Sequence, residues 1–353
     1  MPGHTRLRNG SRKLNGIVIS VIIPALNEER VIGQCLGCLV QQKIHKDQFE
    51  VIVVDNGSVD RTLEIVSGFE GSLNLRILQK PSSHISALRN LGASSAKGEF
   101  LAFLDADCLA SAEWLSRGIE LLRSGDGGVV GAFYTIPEGS SWLAKAWYRD
   151  LPIEKHGYVS YVPSGTLFVS QSFFSKIKGF DETLQTSEDF EFCQRVAATG
   201  YNVLSSPALS TVHLGTPQTL SAFYRKQRWH GNGVRTAFLR NMFHPGFAKT
   251  VLQTAAMLIL LITSAVMVPV AVLTNKLFLL TVAPALVIFG SFVLAARAAA
   301  VRKAWSFLFP LTLLYLVYGI ARSLSFLGLN GKRAACPGPS PAYGACAETT
   351  PAD

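Results

Sequence analysis

The chain has 353 residues and a formal net charge of +9, with 48% apolar but only 16% charged residues. A soluble domain is typically about 25% charged. The shortage is concentrated, because residues 251–273, 277–296 and 304–321 contain no Asp, Glu, Lys or Arg. A wholly soluble enzyme, a collagen-like chain and a disordered tail protein are thereby excluded, and six cysteines in this length do not make a disulfide scaffold.

Residues 1–15 carry Arg6, Arg8, Arg12 and Lys13 and read as a basic, flexible arm. The apolar run that follows, 17–23, is too short for the core of a secretory signal and ends at Pro24. It is therefore expected to be a strand, with the globular part, residues 16–245, staying in the cytoplasm. Runs 51–54, 75–78 and 100–104 also have strand length, and helix-like stretches lie at 28–40, 60–69, 84–96 and 111–123. Such alternation predicts an α/β fold with a mostly parallel central sheet covered by helices on both faces. Ligands of such sheets bind at the carboxyl ends of the strands. That rule selects three polar clusters, at residues 24–27, 55–58 and 105–107.

Beyond residue 136 the pattern is less regular. Trp142, Leu143, Trp147 and Tyr148 interleave with Lys145 and Arg149, which suits either a helix lying on a membrane or a packed core helix. A helix is expected over 186–200, a short β-like run over 209–213, and a basic, aromatic helix over 220–240. A membrane region follows over 251–327, with spans expected at 251–273, 277–296 and 304–324. A helix needs about 20 apolar residues to cross a bilayer. Pro269, Pro284 and Pro310 inside the spans are tolerated in lipid, and Arg322 is placed to snorkel from the end of the third. Arg235, Arg240 and Lys249 precede the first span, and Arg297, Arg302 and Lys303 separate the second from the third. The other side has Lys276 in its loop and Arg322, Lys332 and Arg333 at the tail, so basic residues favour a cytoplasmic catalytic domain. The final stretch, 330–353, is rich in Pro, Gly, Ala and Thr and reads as a disordered tail.

Several residues carry potential chemistry. Asp55-Asn56-Gly57-Ser58 ends a strand, where a carboxylate can bind a base or ribose; taken alone, an Asx-type turn is the stronger reading. Asp105 and Asp107 are separated by one residue and would repel without a nearby cation, and Mg²⁺ or Mn²⁺ suits such hard oxygen ligands. A solvated helix-capping turn explains the pair equally well. Glu188 and Asp189 open a helix, where the dipole favours their ionised forms; taken alone, helix capping is the stronger reading, while a carboxylate facing the cleft there can take a proton from an attacking hydroxyl. His213 is either a structural residue or a third metal ligand. Arg228 and Trp229 offer a guanidinium fork for phosphate and an aromatic face for a sugar or base. Cys35 and Cys38 have redox or metal spacing but lie in an apolar stretch and read as core residues. No Gly-x-Gly-x-x-Gly follows the first strand and no P-loop occurs, so a dinucleotide oxidoreductase or P-loop nucleotidase is poorly supported.

The order of these elements resembles the family-2 glycosyltransferases. It runs through Val21-Ile-Ile-Pro24-Ala-Leu-Asn27-Glu28-Glu29, Asp55-Asn-Gly-Ser58-Val-Asp60-Arg-Thr62, Arg89-Asn90-Leu-Gly92 and Asp105-Ala-Asp107. It continues through Gly179-Phe180-Asp181-Glu182 and Glu188-Asp189 to Arg228-Trp229, covering residues 17–240. The resemblance implies a GT-A fold and an inverting, metal-dependent transfer from a nucleotide-diphosphate sugar, with a UDP-sugar favoured. It would put Pro24, Asn27, Glu28, Asp55, Arg89 and Asp105 on the sugar-nucleotide, Asp107 on Mg²⁺ or Mn²⁺ with His213 as a further candidate, and Asp189, with Glu188 beside it, at the general base. Arg228 and Trp229 match the end of the family's Gln-x-x-Arg-Trp motif near diphosphate and acceptor, but Arg225 stands where the Gln would be. That departure favours transfer of one or a few sugars over processive synthesis. The implied partners are a lipid-linked or glycan acceptor and membrane lipids, with no nucleic acid, and the implied location is a bacterial inner membrane. The rival class, a membrane-bound scaffold that binds nucleotide sugars without turnover, is opposed by the intact Asp-x-Asp and Glu-Asp pairs.

Overall fold

The computed structural model describes residues 16–125, 127–148, 156–239 and 245–329; the basic arm and the expected tail lie outside them. Ten strands are assigned among the described residues: β1 (Ile19–Ala25), β2 (Phe49–Asp55), β3 (Leu75–Gln79), β4 (Phe100–Leu104), β5 (Cys108–Leu109), β6 (Val129–Gly131), β7 (Gly157–Val159), β8 (Thr166–Ser170), β9 (Val203–Ser205) and β10 (Val212–His213). Eight form one sheet in the order β3-β2-β1-β4-β8-β6-β9-β7. Only β8 and β7 run against their neighbours, so the sheet is mostly parallel. β5 and β10 form a separate antiparallel pair.

The central strands are apolar on both faces because both faces are covered. Val21, Ile23, Val51, Val53, Ala102 and Leu104 pack towards α1 (Ile32–Val40) and α4 (Trp114–Ser124). The alternate residues Ile22, Leu101 and Phe103 face the other way, towards Ala93 on α3 (Ile85–Ser95), Phe174 on α6 (Gln171–Lys176) and Phe192 on α7 (Glu188–Ala198). The two-residue period of a strand thus feeds two cores from one run. Cys35 is buried in the first core, and Cys38 is half-buried on the same helix.

Several helix starts differ from the sequence expectation, α4 beginning at Trp114 instead of residue 111. The first helix begins at Ile32 instead of residue 28, and the Glu28 and Glu29 amides before it donate to Thr62 Oγ1 and Asp60 Oδ2 of the neighbouring loop. α2 (Thr62–Ser67) starts behind Asp60, whose Oδ1 accepts from the Thr62 amide. α7 starts at Glu188 because Ser187 is left-handed, with φ +68°. The β-like run shortens to Val212–His213, since Pro207–Leu209 forms a 3₁₀ turn.

The C-terminal part is helical. α5 (Trp142–Tyr148) and α8 (Leu220–Leu239) lead to α9 (Pro245–Leu273), α10 (Leu279–Arg302) and α11 (Leu308–Phe326). The last three, with the 3₁₀ turn Trp305–Phe307, are long and apolar enough to cross a membrane. Ile259, Ile262, Val266, Ile288 and Phe289 point outward from α9 and α10, a surface suited to lipid. α5 is a packed helix. Its Leu143 and Ala146 are buried with Phe223, Leu311 and Leu314, while Trp142 is exposed. Arg322 does not snorkel as expected: its guanidinium turns inward to Gln227 and the His230 carbonyl on α8. Those neutral acceptors satisfy it inside the protein.

The tightest helix–sheet approach is at Gly118 on α4, where an added Cβ would lie 2.2 Å from Phe168 Cε1 on β8. Gly118→Ala is expected to destabilise the α/β domain by about 1–3 kcal/mol, the usual cost of overpacking. A lowered thermal midpoint, followed by near-UV circular dichroism of the full chain in detergent, checks it.

Candidate active site

The site is built where β1, β2 and β4 end. Asn27 adopts a left-handed conformation, φ +56°, that Asn tolerates better than most residues. Its amide donates to Ser58 Oγ (2.9 Å), and its Oδ1 accepts from the Val59 amide (2.9 Å). The loops after β1 and β2 are therefore locked together. Asp55 is buried, and its Oδ2 accepts the amides of Gly57 (2.8 Å) and Ser58 (3.0 Å), so its carboxylate organises this turn. Pro24 stays inside β1, paired in register with Val54.

Arg89, on α3, is buried between two carboxylates. Nη2 donates to Asp105 Oδ1 (2.6 Å) and Nη1 to Glu188 Oε1 (2.7 Å). The other Asp105 oxygen, Oδ2, accepts from the Tyr134 hydroxyl at 2.9 Å. Burial pushes the Asp105 carboxyl up, but Arg89 and His213 more than offset this and hold it below its ordinary value. Gly165 makes room for this arrangement: an added Cβ would lie 2.2 Å from Asp105 Oδ2.

Asp107 faces a different set of donors. The pairing of β10 with β5 sets His213 opposite Cys108. His213 Nε2 then lies 3.7 Å from Asp107 Oδ2, and Cys108 Sγ lies 3.9 Å from Asp107 Oδ1. Ligand atoms of Asp105, Asp107, Cys108 and His213 all fall within 4.8 Å of one another. Burial pushes the His213 pKa down despite the nearby carboxylates, which favours the neutral imidazole that binds metals. Gly215 leaves space beside Asp107, where an added Cβ would meet Oδ2 at 2.0 Å. Glu28 Oε2 is buried without a hydrogen-bond partner. Burial first, then the charges of Asp107, Asp105 and Asp60, push the Glu28 carboxyl up to about 9. Clustered acid oxygens, a neutral imidazole and an orphaned carboxyl oxygen fit a hard divalent cation.

Glu188 and Asp189 sit in different surroundings. Glu188 Oε1 accepts from Arg89 and from Ser164 Oγ (3.3 Å). Asp189 accepts from the Phe190 amide, and burial followed by the Glu188 charge pushes its carboxyl up to about 7. A carboxylate poised there can accept a proton near neutral pH. Arg228 and Trp229 sit on α8, with Arg228 over the Tyr224 ring (5.9 Å) and Trp229 against His230 (4.8 Å). Lys226 on the same helix donates to the Gly215 carbonyl at 3.4 Å, beside Asp107.

The sequence reading missed Tyr134, Ser164, Gly165, Cys108 and Gly215. Cys108 directly follows the Asp-x-Asp and was visible as a third donor. The other four come from separate segments, and no local spacing marks them.

The Glycosyl transferase family 2 model matches residues 20–181. Glycosyltransferase AglE of Haloferax volcanii is 32% identical over 206 residues, 56% of this chain and 67% of AglE. Poly(ribitol-phosphate) beta-N-acetylglucosaminyltransferase TarS of Staphylococcus aureus is 40% identical over 98 residues, but the match spans only 17% of TarS. Among solved structures, the mannosyltransferase PcManGT of Pyrobaculum calidifontis, in complex with GDP-Man and Mn²⁺, aligns over 88% of both chains with a TM-score of 0.57. At 18% identity that match establishes a shared fold.

The donor set predicts that Asp107→Ala removes Mn²⁺ binding, read by electron paramagnetic resonance of the full chain, while the apolar helices stay folded by circular dichroism. Wild-type Mn²⁺ affinity in that variant would show that the cation is held elsewhere.

Proposed function

Because the chain belongs to glycosyl transferase family 2, we propose that it is a membrane-anchored, inverting glycosyltransferase moving a sugar from a nucleoside-diphosphate sugar to a lipid-linked or glycan acceptor. One observation carries this reading. A single buried guanidinium, Arg89, draws the donor-side Asp105 and the acceptor-side Glu188 into one site.

In this reading the interlocked loops at Asn27 and Asp55, with Pro24 and Glu28 beside them, take the nucleotide. Asp105 is held rigid by Arg89 and Tyr134 and faces the sugar end of the donor. Asp107 and His213 would hold Mg²⁺ or Mn²⁺, whose charge offsets that of a leaving diphosphate. Arg228 and Trp229 contribute a cationic fork and an aromatic face towards diphosphate and acceptor. The acceptor oxygen attacks the anomeric carbon from the face opposite the diphosphate, so configuration inverts. The bond to the diphosphate oxygen breaks as the new bond forms, and the hydroxyl proton passes to Asp189. Glu188, engaged with Arg89, orients the site without taking that proton. Arg225 in place of the motif Gln supports addition of one or a few sugars. A UDP-sugar is the first donor to test, and labelled UDP- and GDP-sugars offered to membranes carrying the chain, with Mn²⁺ or with chelator, test the reading as a whole. Metal-dependent incorporation of label supports it, and donor binding without turnover favours the scaffold class.

Two sharper outcomes are expected. Asp189→Asn should lower turnover by about 10²–10⁴, the usual worth of a general base. The raised carboxyl pKa gives the sign of the pH effect: the base works deprotonated, so wild-type kcat falls as pH drops through about 7. The variant should lack that limb. A variant that transfers normally would point to an acceptor already ionised, such as a lipid phosphate.

The second outcome concerns topology. With three spans and the basic residues Arg297, Arg302 and Lys303 between the second and third, the catalytic domain is cytoplasmic and the loop at Lys276 external, as for a bacterial inner-membrane protein. A cysteine at the exposed Thr274 should react with an impermeant maleimide on intact cells, above the level of the unaltered chain. A cysteine at the exposed Val59 should react only after permeabilisation. The reverse pattern would invert the orientation.

A further inference from the structure

We propose that Arg322, on the last apolar helix, is a positioning residue for sugar transfer: α11 holds the Arg228–Trp229 segment in its working place. The inference rests on the reading of those two residues as diphosphate and acceptor contacts. Arg322 Nε and Nη2 donate to Gln227 Oε1 at 3.3 and 3.1 Å, and Nη1 donates to the His230 carbonyl at 3.0 Å. The guanidinium therefore grips both sides of Arg228 and Trp229 in sequence. It is itself seated over the Tyr318 ring, 5.0 Å from the centroid. One turn further along α11, Ser325 Oγ donates to the Arg228 carbonyl at 2.7 Å. The helices meet so closely because of Gly231, where an added Cβ would lie 2.5 Å from Ser325 Cβ. From the position next to Gln227 on α8, Lys226 reaches the Gly215 carbonyl beside Asp107. α8 is thus pinned between the metal-side loop and α11.

Anchoring alone does not account for this chemistry. Among the described residues Arg322 makes no ion pair, and its charge is satisfied by neutral oxygens at the end of an apolar helix. Burying a charge in that way is costly. Apolar side chains would join the two helices without that cost. What the planar fork adds is geometry: two acceptors, one on a side chain and one on the backbone, fix both the rotation and the height of α8. Small misplacements of positioning groups can lower rates about 10²-fold. Transfer would accordingly depend on the membrane helix itself and not only on the catalytic domain.

The test uses the full chain in detergent or membranes, with transfer from labelled sugar nucleotides and Mn²⁺ binding as separate readouts. Arg322→Met is expected to slow transfer about 10- to 100-fold with Mn²⁺ affinity retained, and Arg322→Lys to recover part of the loss. In an Arg228→Ala background, Arg322→Met should add less than about twofold, since residues acting as one unit are not additive. Ser325→Ala is the gentler second variant, and a several-fold slower transfer with Mn²⁺ binding intact is expected of it. Wild-type transfer in both Arg322→Met and Ser325→Ala, or losses that multiply in the double variant, would overturn the inference while leaving the proposed function standing. Wild-type transfer in Arg228→Ala and Trp229→Ala would instead overturn the reading of that motif, and the inference with it.

Discussion

The buried guanidinium of Arg89 ties the end of β4 to the start of α7, two elements that also share an apolar core. Asp105 directly follows the central strand β4, Glu188 opens a helix 83 positions later, and one side chain between them pairs with both. Removing one member of such a buried set typically costs about 3–5 kcal/mol, because a charge is left in the interior without compensation. The same contact has a chemical consequence. Asp105 is kept ionised while Asp189, next to Glu188 but without its own cation, is pushed towards neutrality. Two nearby acids are thereby given different proton affinities, the separation on which acid–base chemistry depends.

Around that joint, the strand ends are tied by short polar locks more than by apolar packing. Asn27, Ser58, Asp60 and Thr62 satisfy the amides of the loops after β1 and β2, so the carboxyl edge of the sheet presents a formed surface. The glycines at 165 and 215 serve the same end from the other side, since a methyl group at either would strike a site carboxylate. Shape and charge at the site are set by the same few residues.

The catalytic domain and the apolar helices are not joined by a simple linker. Trp147 on α5 packs against Phe223 on α8 and against Tyr315 and Tyr318 on α11, with ring centroids 4.9 to 5.5 Å apart. Arg302 on α10 reaches the carbonyls at 146 and 147. Such aromatic pairs contribute beyond their buried area, and together they couple α8 to the helices that would sit in lipid.

Much of this was legible in the residues alone. Long uncharged runs have one stable home, and continuous β-branched strands between amphipathic stretches lead to a covered parallel sheet. Ligand chemistry then collects at strand ends, which is why Asp55, Asp105 and Asp107 stood out. The roles within the site were less legible. That Arg89 lies between two acids, that His213 comes up beside Asp107, and that Tyr134 closes the second oxygen of Asp105 all depend on contacts across distant segments. The helix starts moved for local reasons that periodicity does not register, such as the left-handed backbone at Ser187. Arg322 is the clearest case. By sequence it is a charge at the end of an apolar run, free to reach for water; in the fold it has acceptors within 3.3 Å and turns inward. Periodicity and composition are properties of neighbours along the chain, and so the sequence by itself determined the first four strands of the sheet, the apolar helices and the acids at the strand ends. Hydrogen-bond partners and proton affinities are properties of neighbours in space, and only the tertiary structure decided those.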